Sequence, residues 1–215
     1  MLTNFVEAHN HEQLLESLSE KRLVIYTGTL EPYQGIDIVI RAFKDVVSKE
    51  ADTFLLIVGG TKEQVKQYSS LAEELGITED CIFTGRVSPS LARYYASHAD
   101  VQISSRISGT NTPLKIYEQL SRGIPLVATN IYSHTQVLNE EVAFLVEVNP
   151  QSMACGILDA LSPDGDGKCK AANAKRLYEE KYSRQVYTDK MRNLLEYLTN
   201  SSPNNNHRDL AAIFK

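Results

Sequence analysis

The residues with the most chemistry in their spacing lie between Ser105 and Val127, in the stretch SRISGTNTPLKIYEQLSRGIPLV. An apolar run, Val101–Ser104, ends just before it, and Thr112-Pro113 then has the residue types favoured at a helix N-cap and first helical position. Gly123 followed by Pro125 is a stop signal, so the spacing predicts a helix over 113–122. Lys115 falls in the first turn of that helix, where the macrodipole disfavours a cation by roughly 0.3–1 kcal/mol. Such a placement calls for an anion. A phosphate would meet the free N–H groups and the ammonium together, and Gly109, Thr110, Asn111 and Thr112 are small enough to let main chain come close, with Leu114 beside them. Glu118 shares a face with Lys115 one turn on. Its carboxylate can accept hydrogen bonds from a sugar's vicinal hydroxyls beside the phosphate, or it can pair with Lys115 or Arg122 on a solvated face. Spacing leaves both readings standing.

Other short motifs carry less. Gly28-Thr29 and Gly35 bracket a strand-to-helix turn and suit close approach to a ligand, but they do not make GxGxxG, and a plain tight turn explains them too. Gly59-Gly60 has the same ambiguity, with a helix starting at Thr61 as the simpler account. Arg86 and the Val87 backbone could border a nucleotide base, but a surface arginine on a loop explains Arg86 as simply, ahead of Ser88-Pro89, a good N-cap and first-turn pair. Asp164-Gly165-Asp166 matches the DxD pattern of cation-holding sites, yet Pro-Asp-Gly-Asp-Gly is ordinary turn chemistry. His98 and His134 have no partner at metal-ligand spacing and read as satisfied or solvent-facing side chains, although His134 follows a strand end and could border a crevice.

These residues need a scaffold, and the chain supplies one. Apolar runs recur at Leu23–Tyr26, Phe54–Val58, Ile82–Thr84, Val101–Ser104, Leu126–Thr129 and Ala143–Val146, too continuous to be half-solvated strands. Between them Ile36, Val39, Ile40, Phe43 and Val47 mark one face of an amphipathic helix, and further helices are expected near 62–75, 89–97, 132–138, 151–161, 168–182 and 185–198. Strand-helix alternation predicts an α/β fold, a Rossmann-like, doubly wound parallel sheet of about six strands with helices on both faces. Residues 1–21 read as a linker helix, 22–199 as the domain, and 200–215, with its Asn run, as a flexible tail.

With 215 residues and a net charge of −5, the chain has room for one sizeable core and no basic excess for nucleic acid. Its apolar runs are far shorter than the roughly 20 residues of a membrane span, and the first residues lack signal-peptide character. A cytoplasmic protein is expected, with peripheral membrane association through a further domain as an option. Three cysteines without a CxxC pair argue against a zinc site or disulfide framework, and Cys81 reads as a small core residue.

Taken in order, YTGTLEPYQGID, LLIVGG, IFTGRVSP, ISGTNTPLKIYEQLSRGIPLVAT and AFLVEVNP resemble the C-terminal half of family 4 retaining glycosyltransferases, over roughly residues 22 to 198. The resemblance implies the GT-B architecture, in which two Rossmann-like domains face across a cleft and this half holds a nucleotide diphosphate sugar. It implies a UDP-sugar or GDP-sugar donor, a missing N-terminal acceptor-binding domain, and neither metal nor other cofactor. Glu118 then falls on the ribose contact, main chain near Thr112 and Leu114 on the phosphates, and Arg86 with Val87 beside the base. Three departures stand out: the first glutamate of the family's pair is Thr110, and its two diphosphate cations fall on Thr29 and Gln34. Lys115 is left as the replacement charge and as the group that would stabilise the departing diphosphate during catalysis. A nucleotide-sugar epimerase half would need an acid-base pair that is not evident. An NAD-dependent oxidoreductase would need GxGxxG and an acid about 20 residues later, which are missing. A binding module without chemistry is the remaining class.

Overall fold

The computed structural model describes residues 20–200 together with Glu16; the expected linker helix (1–21) and tail (200–215) fall almost wholly outside the described residues. Six strands form the sheet: β1 (Arg22–Thr27), β2 (Thr53–Val58), β3 (Cys81–Gly85), β4 (Val101–Ser104), β5 (Leu126–Thr129) and β6 (Phe144–Val146). The described helices are α1 (Ile36–Lys49), α2 (Lys62–Glu74), α3 (Pro89–Ser97), α4 (Lys115–Arg122), α5 (Tyr132–Thr135), α6 (Pro150–Leu161), α7 (Gly167–Leu177) and α8 (Arg184–Asn200). Every neighbouring pair of strands is parallel, and the order is β3-β2-β1-β4-β5-β6.

The alternation along each strand explains the layers. Val24 and Tyr26 of β1 face a core built with α1, α2 and α6, whereas Leu23 and Ile25 face one built with α3. Leu126 and Ala128 of β5 pack against Ile116 and Leu120 of α4 and Ala174 of α7 on that second side. Both faces are therefore covered, which is why the strands read as continuous apolar runs. In α1 the residues Ile36, Val39, Ile40, Phe43 and Val46 are fully buried, each contributing about 1.5–3 kcal/mol by leaving water. Cys81 is buried in the first of these cores, and burial pushes its thiol pKa well up.

Helix starts follow local chemistry. Thr61 and Gln64 form a reciprocal capping box at α2, and Ser88 Oγ accepts from the Leu91 N–H ahead of α3. The one clear departure is α4, which begins at Lys115 and not at Pro113. Leu114 is already helical in its backbone, and the Ile116 and Tyr117 N–H groups are taken by the carbonyls of Pro113 and Leu114 at 3.0 and 3.2 Å. Thr112 therefore stands too far ahead to cap the helix, and its side chain makes no cap. The expected helix over 168–182 is α7 followed by a wider π-type turn, Tyr178–Tyr182, whose Tyr182 ring meets Tyr117 of α4 edge-on at 4.9 Å.

Two strands adjacent in the sheet but distant in sequence, β1 and β4, mark the point where strand order reverses. Crevices outside the carboxyl ends of such strands are where doubly wound folds bind ligands. Thr27 and Ser104 end these two strands, and the stretch from Ser105 to Leu114 emerges there.

Candidate functional site

Lys115, the first residue of α4, sends its side chain back over the end of β1. Its Nζ lies 4.2 Å from the centre of the Tyr26 ring and 3.5 Å from the Thr27 carbonyl oxygen. Burial, with the Arg106 charge adding to it, pushes the lysine pKa down to about 7. No ion pair among the described residues includes Lys115. The Ile116 and Tyr117 N–H groups of the first turn are bonded within the chain.

The loop leading to Lys115 is tied down residue by residue. Ser105 Oγ donates to the Gln34 carbonyl at 2.7 Å, and the Ile107 N–H donates to the Tyr33 carbonyl at 2.9 Å. Gly35 permits this approach: it has φ +67°, and a Cβ there would sit 2.4 Å from the Ser105 carbonyl oxygen. On the other side the Thr129 hydroxyl donates to the Arg106 carbonyl, and Gln136 Nε2 donates to the Thr110 carbonyl at 2.7 Å.

Beneath the loop His134 is fully buried. Its Nδ1 lies 2.9 Å from the Thr129 carbonyl and its Nε2 lies 3.0 Å from Ser104 Oγ, so the proton sits on Nδ1 and Nε2 accepts from the serine. Burial pushes its pKa down to about 4, with Lys115 and Arg106 adding to the effect and the hydrogen bond to Thr129 opposing it. The imidazole is thus neutral near pH 7. It bridges the carboxyl ends of β4 and β5 as a structural bracket.

A pocket of about 330 Å³ opens beside this crevice, lined by Gly28 and Thr29 after β1, Gly59 and Gly60 after β2, and Arg86 and Val87 after β3. Its glycines let the strand ends approach closely. Gly59 has φ +125°, and a Cβ there would fall 1.9 Å from the Gly28 carbonyl oxygen. Glu31 and Gln64 border the pocket and are joined by a 3.0 Å hydrogen bond. Gln34 reaches Thr29 at 3.5 Å.

Of the residues picked out by spacing, Gly28, Thr29, Gly59, Gly60, Arg86 and Val87 share this pocket, whereas Lys115 reaches the carbonyl of Thr27, the residue before Gly28. Gly109, Thr110 and Asn111 lie exposed on the loop, Thr112 is half-buried, and Leu114 is 84% exposed. Glu118 is exposed and makes a 3.4 Å ion pair with Arg122, one of the two arrangements its spacing allowed. Asp164-Gly165-Asp166 closes the turn between α6 and α7, where the Gly165 N–H donates to the Ser162 carbonyl at 3.2 Å. Sequence reasoning passed over Glu31 and Gln64 as pocket residues and Arg106 as a crevice residue. The signal for Arg106 was there: it stands two residues beyond the strand whose end was already suspected.

Comparison with known proteins settles the family. The profile of the glycosyl transferases group 1 family matches residues 8–184. The chain belongs to that family. It is 25% identical over 181 residues to an uncharacterized glycosyltransferase of Methanocaldococcus jannaschii, covering 82% of this chain and 45% of that protein. To the alpha-monoglucosyldiacylglycerol synthase of Streptococcus pneumoniae it is 28% identical over 180 residues, covering 83% of this chain and 39% of the other. The chain thus spans less than half the length of these relatives. Among solved structures, Anabaena HepE in complex with UDP superposes with a TM-score of 0.75 at 16% identity, covering 90% of this chain and 54% of HepE. The chain's six-stranded parallel sheet is Rossmann-like, and its fold matches about half of a GT-B glycosyltransferase. No described helix is long and apolar enough to cross a membrane.

Proposed function

We propose that this chain is the C-terminal, donor-binding half of a retaining family 4 glycosyltransferase that takes its sugar from UDP-sugar, with GDP-sugar as the second choice. The acceptor would be held by an N-terminal domain of comparable size, in a longer chain or a partner. The observation that carries the reading is the Lys115 ammonium, placed at the β1/β4 switch point without a carboxylate partner among the described residues, beside a glycine-walled pocket of about 330 Å³.

In this reading the base lies by Arg86 and Val87, the ribose hydroxyls bond Glu118, and the diphosphate lies over the loop from Gly109 to Leu114 against Lys115. Lys115 then stabilises the negative charge that builds on the leaving diphosphate, which is preorganised electrostatic catalysis. The UDP held by HepE supports the donor class, since that protein shares the fold.

Calorimetric titration of the 215-residue chain with UDP, GDP, ADP and NAD, with and without divalent metal, tests this. Binding of UDP, then GDP, in metal-free buffer is expected. Preference for NAD, or no nucleotide binding at all, would overturn it. Retention is tested separately, on the full-length enzyme, from the anomeric configuration of the first-formed product by NMR.

A further inference from the structure

The switch-point crevice holds a second cation, and its surroundings are arranged around it. Arg106 lays its guanidinium over the Tyr33 ring, 5.2 Å from the ring centre, and Nη1 donates to the Asn111 carbonyl at 3.0 Å. Its Nε is buried with no hydrogen-bond partner among the described residues. Gly109, at φ +135°, makes room: a Cβ there would stand 2.9 Å from the guanidinium carbon. The backbone is pinned on both sides, by the Thr129 hydroxyl on the Arg106 carbonyl and by the Ile107 N–H on Tyr33.

Arg106 is also close enough to Lys115 for its charge to disfavour the ammonium. None of the ion pairs among the described residues includes either cation. Two like charges held together and unpaired cost free energy, and a facing dianion reverses the sign of that cost. A planar guanidinium also matches two phosphate oxygens better than a point charge does.

We propose that Arg106 is a diphosphate-binding residue, gripping the donor together with Lys115 and supplying the positive charge that Thr29 and Gln34 do not. This rests on the donor-binding reading above and adds a residue to it. The Tyr33 stack and the Gly109 clearance hold the guanidinium in place before the ligand arrives.

The test is calorimetry on the 215-residue chain with UDP, UMP and uridine, or the guanosine series if the parent prefers GDP, alongside thermal melts. Arg106→Gln should weaken UDP binding about 10- to 100-fold, UMP binding less, and uridine binding less than about twofold, the loss of one charge-assisted contact. Arg106→Lys keeps the charge without the planar fork and should lose about 3- to 10-fold for UDP. If Arg106→Gln does not fold, Arg106→Lys carries the test, and unchanged UDP affinity in that variant overturns the proposal. A folded Arg106→Gln chain that keeps UDP affinity, or loses UDP and uridine equally, overturns it as well. A parent chain that binds no nucleotide overturns the donor reading and this role together, whereas binding by the parent without loss in the variants removes only the role of Arg106.

Discussion

The Lys115 ammonium stands 4.2 Å from the centre of the Tyr26 ring, so a residue of α4 closes over the carboxyl end of β1. The ring face offers the cation some compensation for lost water. Burial nevertheless wins, because it pushes the lysine pKa down to about 7.

That balance gives the first prediction. A bound diphosphate restores the charged form, so UDP binding takes up a proton, increasingly so as pH rises from about 7 to 8. Tyr26, Arg106 and His134 also face the amine, and of these only Arg106 is charged near pH 7. Calorimetry in buffers of different ionisation enthalpy should show the uptake, and Lys115→Arg should abolish it. Lys115→Ala should weaken UDP binding much more than uridine binding. Equal loss for both ligands would remove Lys115 from the diphosphate site.

Glu118 separates a ribose contact from a surface ion pair. Its pair with Arg122 is exposed and spaced i,i+4, worth about 0.3–0.5 kcal/mol, so Glu118→Gln should barely move the thermal midpoint. If Glu118 holds the ribose, the same change weakens UDP and uridine alike, by roughly tenfold. Unchanged nucleoside affinity would return Glu118 to the solvated face.

His134 should make the fold acid-sensitive. Its pKa is depressed from the ordinary value of 6.5 to about 4, so the unfolded chain binds the proton first as pH falls. Its contribution is fully present above about pH 6.5 and is lost between there and about pH 4, by up to about 3 kcal/mol. His134→Gln, which keeps polar atoms but does not titrate, should flatten that part of the stability curve from urea unfolding. Parallel curves for the two proteins would show that the imidazole is not the titrating group.

Gly59→Ala should be severe for so small a change. The new methyl would meet the Gly28 carbonyl at 1.9 Å in a backbone region that L residues avoid, so strand ends β1 and β2 must part. A loss of about 2–4 kcal/mol in urea unfolding is expected, with weaker nucleotide binding from the reshaped pocket.

What was readable in the chain was what local chemistry writes down. Continuous Val, Ile and Leu runs mark strands buried on both faces, such as Thr53–Val58, and capping pairs such as Ser88-Pro89 place helix starts. Lys115 was legible as an oddity because a cation in a first helical turn conflicts with the macrodipole, and that conflict is local. Gly28, Thr29, Arg86 and Val87 were legible as strand-end residues, and their common pocket follows from the parallel order of β1, β2 and β3. The start of α4 was misplaced by two residues because Pro113 and Leu114 close their own carbonyls onto the next turn, and a threonine-proline pair does not reveal which carbonyls are engaged.

Tertiary structure alone decided the rest. Adjacency of β1 and β4 sets Ser105 against Gln34, 71 residues away in sequence, and so brings Arg106 over Tyr33 and beside Lys115. It also buries His134 between Ser104 and Thr129 and settles which nitrogen carries the proton. Periodicity and capping report only on neighbours along the chain. Electrostatics depend on which residues the sheet brings together and how much water it removes from them, and both are set by strand order.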